Sequence, residues 1–551
     1  MEKQNILKDA EKRKRLLWGG AFLLLLLLQL LLLIYYGSRK SGFHEDEFYS
    51  YYSTNKTAGL FVNDREWIDK DSYRNEFVVL PGEQFRYGIV KQMQSWDVHP
   101  PLYYYILHTV CSLFPGVFSK WLGIAVNLTA FVPCFFLLAG IVYEIAGKGE
   151  KGVRLAFLTC LLWGGSAAVI SGVMFIRMYQ WMTLFVLLCA WLHVRAVRKQ
   201  KFGLPFLIPV GVTVFLGFLT QYFYMVFHFF LGAAFCVYLL SRKKIRVLLS
   251  YGAACVLAFG LAVLYYPASM SHIFRGYRGT EAMDEFADTG NTLERLQFFT
   301  ELFDKYEVAG CLAVILLVIC LLWVTRSCLG RREKLVDHPA GRRVSGRLPV
   351  EIWLLVSACA GYFFVVAKTA LLLGETSNRY MLPIYGLLLF LLLYFLTEPL
   401  SGFLPEGKKT GWILFCVLCA GVLLMNGISL KAGRVFFLYE EEQTAMAFVR
   451  ENKDVPVVVF YNSASESNVW RLSDELMEYP EIYLASEDNM DELTDETLNT
   501  SDRVLAYVAD HESGTACLDR LLESNAKLTE YRLIAEKGPV SYTHLTLPTI
   551  R

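Results

Sequence analysis

The chain has 551 residues, 55% of them hydrophobic, and carries 53 Lys and Arg against 52 Asp and Glu. That balance gives no electrostatic ground for a nucleic-acid partner. The charges cluster in short connectors and in the last quarter, between recurring apolar runs of roughly 18 to 25 residues, long enough to cross a bilayer. The chain therefore reads as a polytopic α-helical membrane protein.

Residues 1–15 form a basic, cytoplasmic N-terminus. The run "EKRKRLLWGGAFLLLLLLQLLLLIYY" then holds an apolar stretch of about twenty residues, longer than a signal-peptide core, and reads as an uncleaved first span at 16–36. Residues 37–117 are the first external loop. Within it the apolar run Leu102–Phe114 is too short to span and is expected to lie in the outer interface. Further spans are expected at 118–146, 154–175, 180–196, 203–221, 222–240, 246–266, 307–325, 350–373, 380–397 and 411–430, about eleven in all.

With the N-terminus inside, the connectors "GKGEKGVR", "RAVRKQK", "SRKKIR", "RSCLGRREKLVDHPAGRRVSGR" and "EPLSGFLPEGKK" fall on the cytoplasmic side, where Lys and Arg concentrate. The opposite connectors are poor in positive charge, and "GTEAMDEFADTG" is acidic. This threading gathers five polar motifs outside: "HEDEFYS", "WDVHPP", "FIRMYQW", the Tyr277–Asn291 loop and "ETSNRY". Polar groups within reach of hydrocarbon are costly and tend to mark function.

After Ala432, β-branched runs ("VPVVVFY", "RVLAYVA", "YRLIAE") alternate with polar helical stretches, which predicts an external α/β domain over 431–539. It has no glycine-rich phosphate loop and reads as a structural or acceptor-docking appendage. The last residues, 540–551, resemble a translated sequencing adapter, although their Thr/Leu alternation would allow a strand. Set aside on that ground, they leave the natural C-terminus absent from the chain. The thirteen cysteines lie mostly in apolar runs and suit packing, including the C-x-x-C of Cys416 and Cys419.

In the first loop, Asp46 and Glu47 are adjacent acids at the edge of the apolar surface, where a carboxylate can act as general base on a hydroxyl. Pro100 and Pro101 are expected to start the interfacial helix sharply, leaving free N–H groups beside His99 for a phosphate. Asp97 either orients His99 or caps the turn. Tyr103, Tyr104 and Tyr105 suit interfacial anchoring. Arg177 and Arg379 stand at the outer ends of two spans, and a guanidinium fork matches phosphate oxygens.

The early "DE" pair, the "HPPLYY" helix start, the span-end arginine and the late "RY-x-x-P" (Arg379, Tyr380, Pro383) resemble family 39 glycosyltransferases. These are GT-C enzymes related to protein O-mannosyltransferases and to the lipid A aminoarabinose transferase. The resemblance covers residues 16–430 and implies a GT-C-like fold, a polyprenyl-phosphate sugar donor and inverting transfer to an external acceptor. It makes Asp46 the catalytic base with Glu47 its companion, and gives the donor phosphate to His99, Arg177 and Arg379. Asp97, Tyr103, Tyr179 and Tyr380 are supporting residues. His44 and Glu45 make the acidic motif unusually dense, and Tyr49 stands where some relatives carry arginine.

The expected setting is the plasma membrane, with lipid, the lipid-linked sugar and a protein, lipid or wall-polymer acceptor as partners. A divalent metal at Asp46, Glu47 and His99 is the weaker reading, since no fixed ligand spacing is present. A transporter or lipid flippase would need mid-membrane ionisable residues or broken helices. The sequence suggests only Lys368 and Gln221 as interior candidates, and no inverted repeat. A non-catalytic envelope-assembly protein is the third reading.

Overall fold

A computed structural model describes residues 2–56, 64–147, 149–333, 348–403, 408–488, 493–509, 514–537 and 544–550. All eleven apolar segments are helical. By length and apolarity eight helices can each cross a membrane among the described residues, or up to ten if each of two bent pairs counts as one span. The remaining segment, Leu204–Thr220, is a 17-residue apolar helix. The expected count of about eleven thus exceeds what length and composition support by the one short helix.

The bent pairs correct a second expectation. Glu150–Gly164 and Ala167–Met174 meet at 57°, and Thr292–Glu307 meets Leu312–Cys328 at 93°. Glu307, at the second break, is buried. Broken helices and an interior carboxylate are therefore both present. The sequence hid the first break because Gly164, Gly165 and Ser166 sit in an otherwise uninterrupted apolar run.

The interfacial segment is the helix Leu102–Leu113, starting directly after the two prolines, with the Pro101 carbonyl accepting the first helical bond from Tyr105 N. Tyr103 and Tyr104 are fully buried, so anchoring at a lipid headgroup zone does not describe them. Tyr105 is half-buried and its hydroxyl accepts from Tyr265 at 3.1 Å. The helix packs on Glu45–Asn55 and Lys120–Ala146, which turns its tyrosine face inward.

The C-terminal sheet has six strands: β1 (Glu66–Asp69), β2 (Val457–Tyr461), β3 (Glu481–Ser486), β4 (Val504–Val508), β5 (Tyr531–Lys537) and β6 (His544–Ile550), in the order β1-β3-β2-β4-β6-β5. β2 runs parallel to β3 and β4, and the outer pairs are antiparallel. β2 and β4 are buried along their whole length, as expected for parallel strands covered on both faces. Two strands depart from the sequence reading. β1 comes from the loop after the first span, so the sheet is not confined to 431–539. β6 lies in the terminal stretch set aside above and pairs with both β4 and β5.

The sheet domain is seated on the first loop by apolar and polar contacts. Trp470 is buried with its ring 4.8 Å from Tyr52 and 5.5 Å from Tyr49. Asp474 accepts from Phe43 N at 2.8 Å, and Arg471 pairs with Glu45. Trp470→Ala should destabilise the protein by about 3–5 kcal/mol and expose the linkage to protease. Denaturant unfolding and limited proteolysis measure both, and an unchanged midpoint would contradict this docking.

Candidate functional site

The helix Glu45–Asn55 opens with a capping box. His44 Nδ1 accepts from Asp46 N at 3.0 Å, and the Glu47 carboxylate accepts from His44 N at 2.7 Å. Burial pushes the His44 imidazole down to about 4, against the pull of Asp46. It is therefore neutral at pH 7, as its accepting role requires.

Glu47 also accepts from Ile176 N at 2.8 Å and from Lys40 Nζ at 2.8 Å. Lys40 in turn donates to the Phe437 carbonyl at 2.6 Å. Both side chains are 0% exposed. Burial raises the Glu47 carboxyl, with the Lys40 charge opposing. Glu47 thus faces away from the cavity described below and joins the first span's end, the acidic helix, the 175–178 turn and the segment after the last span.

That turn carries Arg177, and its path needs two fittings. Asn127, fully buried, donates to the carbonyls of Val173 and Phe175 at 3.1 and 2.7 Å, closing the end of the helix Ala167–Met174. Gly123 lets the turn approach, because a Cβ there would stand 2.2 Å from Ile176 Cγ2.

Arg177 is buried among oxygen and nitrogen acceptors. Its Nη1 donates to Tyr104 Oη at 3.0 Å, Ser50 Oγ at 3.2 Å and the Asp46 carbonyl at 3.3 Å, while Nη2 lies 3.0 Å from His99 Nε2. A guanidinium can only donate, so His99 Nε2 accepts and its proton sits on Nδ1. Nδ1 then donates to Asp97 Oδ2 at 2.7 Å. Asp97 therefore both caps the helix Tyr87–Trp96 and orients His99. Burial opposes its charge, but His99 and Arg177 hold its carboxyl below the usual range.

Arg379 approaches from the short helix Gly374–Tyr380 and places Nη1 3.2 Å from Asp46 Oδ2. It lies between the rings of Phe175 and Tyr380, 5.1 and 5.2 Å from their centroids. Its Nε is buried without a hydrogen-bond partner, as is Arg177 Nε. Orphaned buried donors are expensive and mark a missing acceptor. Burial opposes the charge of Asp46, yet Arg177 and Arg379 together hold its carboxyl well below the usual range.

These groups line one cavity of about 2490 Å³. His44, Asp46, Asp97, His99, Arg177, Tyr179, Arg379 and Tyr380 form its polar part. Asp46 is one-third exposed there. Phe218, Phe223, Val226, Phe229, Phe259 and Phe286 form an apolar wall, and both Phe229 and Phe286 are exposed on the helix surface. From Phe223 to Phe229 the wall follows one helix for about 9 Å.

All five polar motifs reach this cavity, through Asp46, His99, Arg177, Arg278 and Arg379. Two predicted residues do not: Glu47 and Tyr103, whose hydroxyl is buried without a partner. The sequence reading missed Lys40, which looks like a solvated charge after a span, and Tyr104. It also missed Arg471, which lines the cavity from the distant sheet domain. Among the described residues no group of three His, Cys, Asp or Glu could hold a metal ion. All thirteen cysteines are free thiols.

No protein-family model matches the chain. No curated protein matches it either. Among solved structures the chain is similar to ArnT from Cupriavidus metallidurans bound to undecaprenyl phosphate, at 11% identity and a TM-score of 0.48 over 97% of each chain. The apo state of that protein gives 10% and 0.46, over 97% of this chain and 98% of that one.

Glu47→Gln would strand the buried Lys40 charge, and breaking a buried pair costs about 3–5 kcal/mol. Thermal unfolding in detergent should show the loss. The apolar double variant Lys40→Met with Glu47→Leu should recover most of it, and a single variant as stable as the parent would refute the strut.

Proposed function

We propose that this chain is an inverting glycosyltransferase of GT-C type, anchored in the plasma membrane. It moves a sugar from a polyprenyl-phosphate donor to an acceptor hydroxyl on the external face. The observation that carries this reading is an ionised carboxylate, Asp46, between two buried arginines with orphaned N–H groups, in a cavity whose other wall is apolar. A base for the acceptor, cations for a phosphate and a greasy wall for a lipid chain are the three requirements of that transfer.

Asp46 accepts the proton of the acceptor hydroxyl as its oxygen attacks the anomeric carbon. The bond from that carbon to the phosphate oxygen breaks on the opposite face, and its electron pair stays with the lipid phosphate. Arg379 and Arg177 offset the growing charge. His99 holds Arg177 in place and Asp97 holds His99. Glu47 positions the helix that carries Asp46. Tyr179 and Tyr380, whose rings meet edge-on at 5.6 Å, shape the wall beside Arg379.

The arginines also govern the base. In the donor-free site they keep Asp46 charged but weakly basic. A phosphate that engages the same guanidiniums cancels part of their field and raises the affinity of Asp46 for a proton. The donor thereby activates the base that consumes it.

Asp46→Asn should abolish transfer while the protein still co-purifies with prenyl-phosphate lipid, read by mass spectrometry of extracted lipids. Wild-type turnover in that variant would end the assignment. A second reading, a transporter or lipid flippase, draws on the two bent spans. It predicts movement of labelled prenyl-phosphate sugar across proteoliposomes with no cleavage.

The lowered carboxyl of Asp46 sets a pH expectation. Its folded value lies below the ordinary one of about 3.9, so its contribution to stability is present above about pH 4 and disappears only as pH falls through the lowered value. The kcat/KM profile should accordingly show no acid limb from Asp46 between about pH 5 and 8. An acid limb in that range that vanishes in Asp46→Glu would contradict it.

A further inference from the structure

His44 caps the acidic helix through one ring nitrogen, and the other is left for the cavity. Nδ1 accepts from Asp46 N at 3.0 Å. Burial keeps the ring uncharged at pH 7, so its single proton is on Nε2, which is a donor. Nε2 has no hydrogen-bond partner among the described residues, and the side chain, a quarter exposed, lines the cavity.

Tyr439 presents a second such group. It lines the same cavity from the segment after the last span, with its ring 6.3 Å from that of His44. Its hydroxyl likewise has no partner among the described residues. Neither Nε2 nor this hydroxyl is sealed in protein, so both border open space. The Tyr439 backbone is held at φ 51°, a conformation that is costly for a residue with a side chain and that gathers at ligand clamps.

These two donors share one aromatic stack with the catalytic groups. Phe437 stacks on Phe175 at 4.0 Å between centroids. The His44 ring stands edge-on to both, at 5.9 and 5.5 Å, and the Arg379 guanidinium lies 5.1 Å from the centre of Phe175. Asp46 Oδ2 is 3.2 Å from Arg379 Nη1 and 3.7 Å from His44 Nδ1, so the carboxylate reaches both. A phosphate is better matched by the charged guanidiniums than by an uncharged N–H or O–H. Aromatic walls with a few placed polar groups are what fix the orientation of a small uncharged ligand.

We propose that His44 Nε2 and Tyr439 Oη form the sugar subsite of the donor, each holding an oxygen of the transferred sugar beside the Phe175–Phe437 stack. The inference rests on the donor reading above and adds the residues that recognise the sugar. It also narrows the sugar. The His44 contact can only donate, so it takes a hydroxyl or carbonyl oxygen. At that contact it rejects an ammonium, which offers no lone pair.

Citronellyl phosphate, bare or carrying glucose, mannose or N-acetylglucosamine, separates the sugar's contribution from that of the lipid phosphate. Binding to the purified full chain in detergent is read by titration calorimetry. The parent should bind at least one sugar-bearing ligand more tightly than bare citronellyl phosphate. Tyr439→Phe removes one hydroxyl, and His44→Ser removes the imidazole while keeping an oxygen that can cap the helix. Each should cut that advantage, the ratio of the two affinities, by about threefold to tenfold, the scale of one uncharged hydrogen bond. A ratio that survives in both variants would overturn the proposal. An equal loss for both ligands leaves the ratio intact, marks a structural role and has the same consequence, as does a parent with no advantage to lose. Should His44→Ser fail to fold, Tyr439→Phe decides by the same ratio. A parent that does not bind bare citronellyl phosphate would instead strike the donor reading, and this inference with it.

Discussion

The pair of Lys40 and Glu47 is the contact on which the site depends. Two charges with no solvent exposure, 2.8 Å apart, are costly to bury and tolerable only when every remaining lone pair and proton is used. Here they are used on backbone that needs fixing. Lys40 holds the Phe437 carbonyl, while Glu47 holds the amides of His44 and Ile176. Two segments distant in sequence, at Ile176 and Phe437, are thereby set against one helix start. Asp46 and Arg177, next in chain to residues so held, have little freedom to drift.

Around that strut the cavity is organised by unequal charge placement. Asp46 and Asp97 are matched by Arg177 and Arg379, and each acid is turned toward a cation or an oriented imidazole. The balance is incomplete at the hydrogen-bond level, because the arginines keep N–H groups with no acceptor. Where Arg177 and Arg379 converge on Asp46, buried N–H groups short of acceptors suit an anion, since the cations need not move when it arrives. In the proposed function, the apolar wall beside these arginines takes the hydrocarbon chain of the anionic donor.

The sheet domain adds a different constraint. By taking β1 from the first loop and seating Trp470 against Tyr49 and Tyr52, it brings Asn468, Arg471 and Glu475 to the cavity wall. The strained backbone of Phe437 and Tyr439, both at positive φ, lies in the same wall. Their conformation is held by Lys40 on one side and by the close stacking of Phe437 on Phe175, 4.0 Å between centroids, on the other. Strain of this kind persists where the surroundings over-determine it.

The sequence by itself determined the helical segments, because a bilayer's thickness demands long apolar runs and these are local in the chain. It also singled out Asp46, His99, Arg177 and Arg379, which line one cavity, since ionisable groups beside hydrocarbon stand out against their neighbours. Local pattern alone could not tell Asp46 from Glu47, which only the family resemblance separated. Adjacent acids on one helix turn look alike until one is seen in the cavity and the other against Lys40. Nor could it distinguish Tyr103 and Tyr104 from interfacial anchors, because burial depends on which helices pack on that face. The strand β1, the joined helix breaks at Ser166 and Glu307, and the reach of Arg471 into the cavity were decided by tertiary structure alone. Each joins residues more than a hundred positions apart, and no local periodicity records such a meeting.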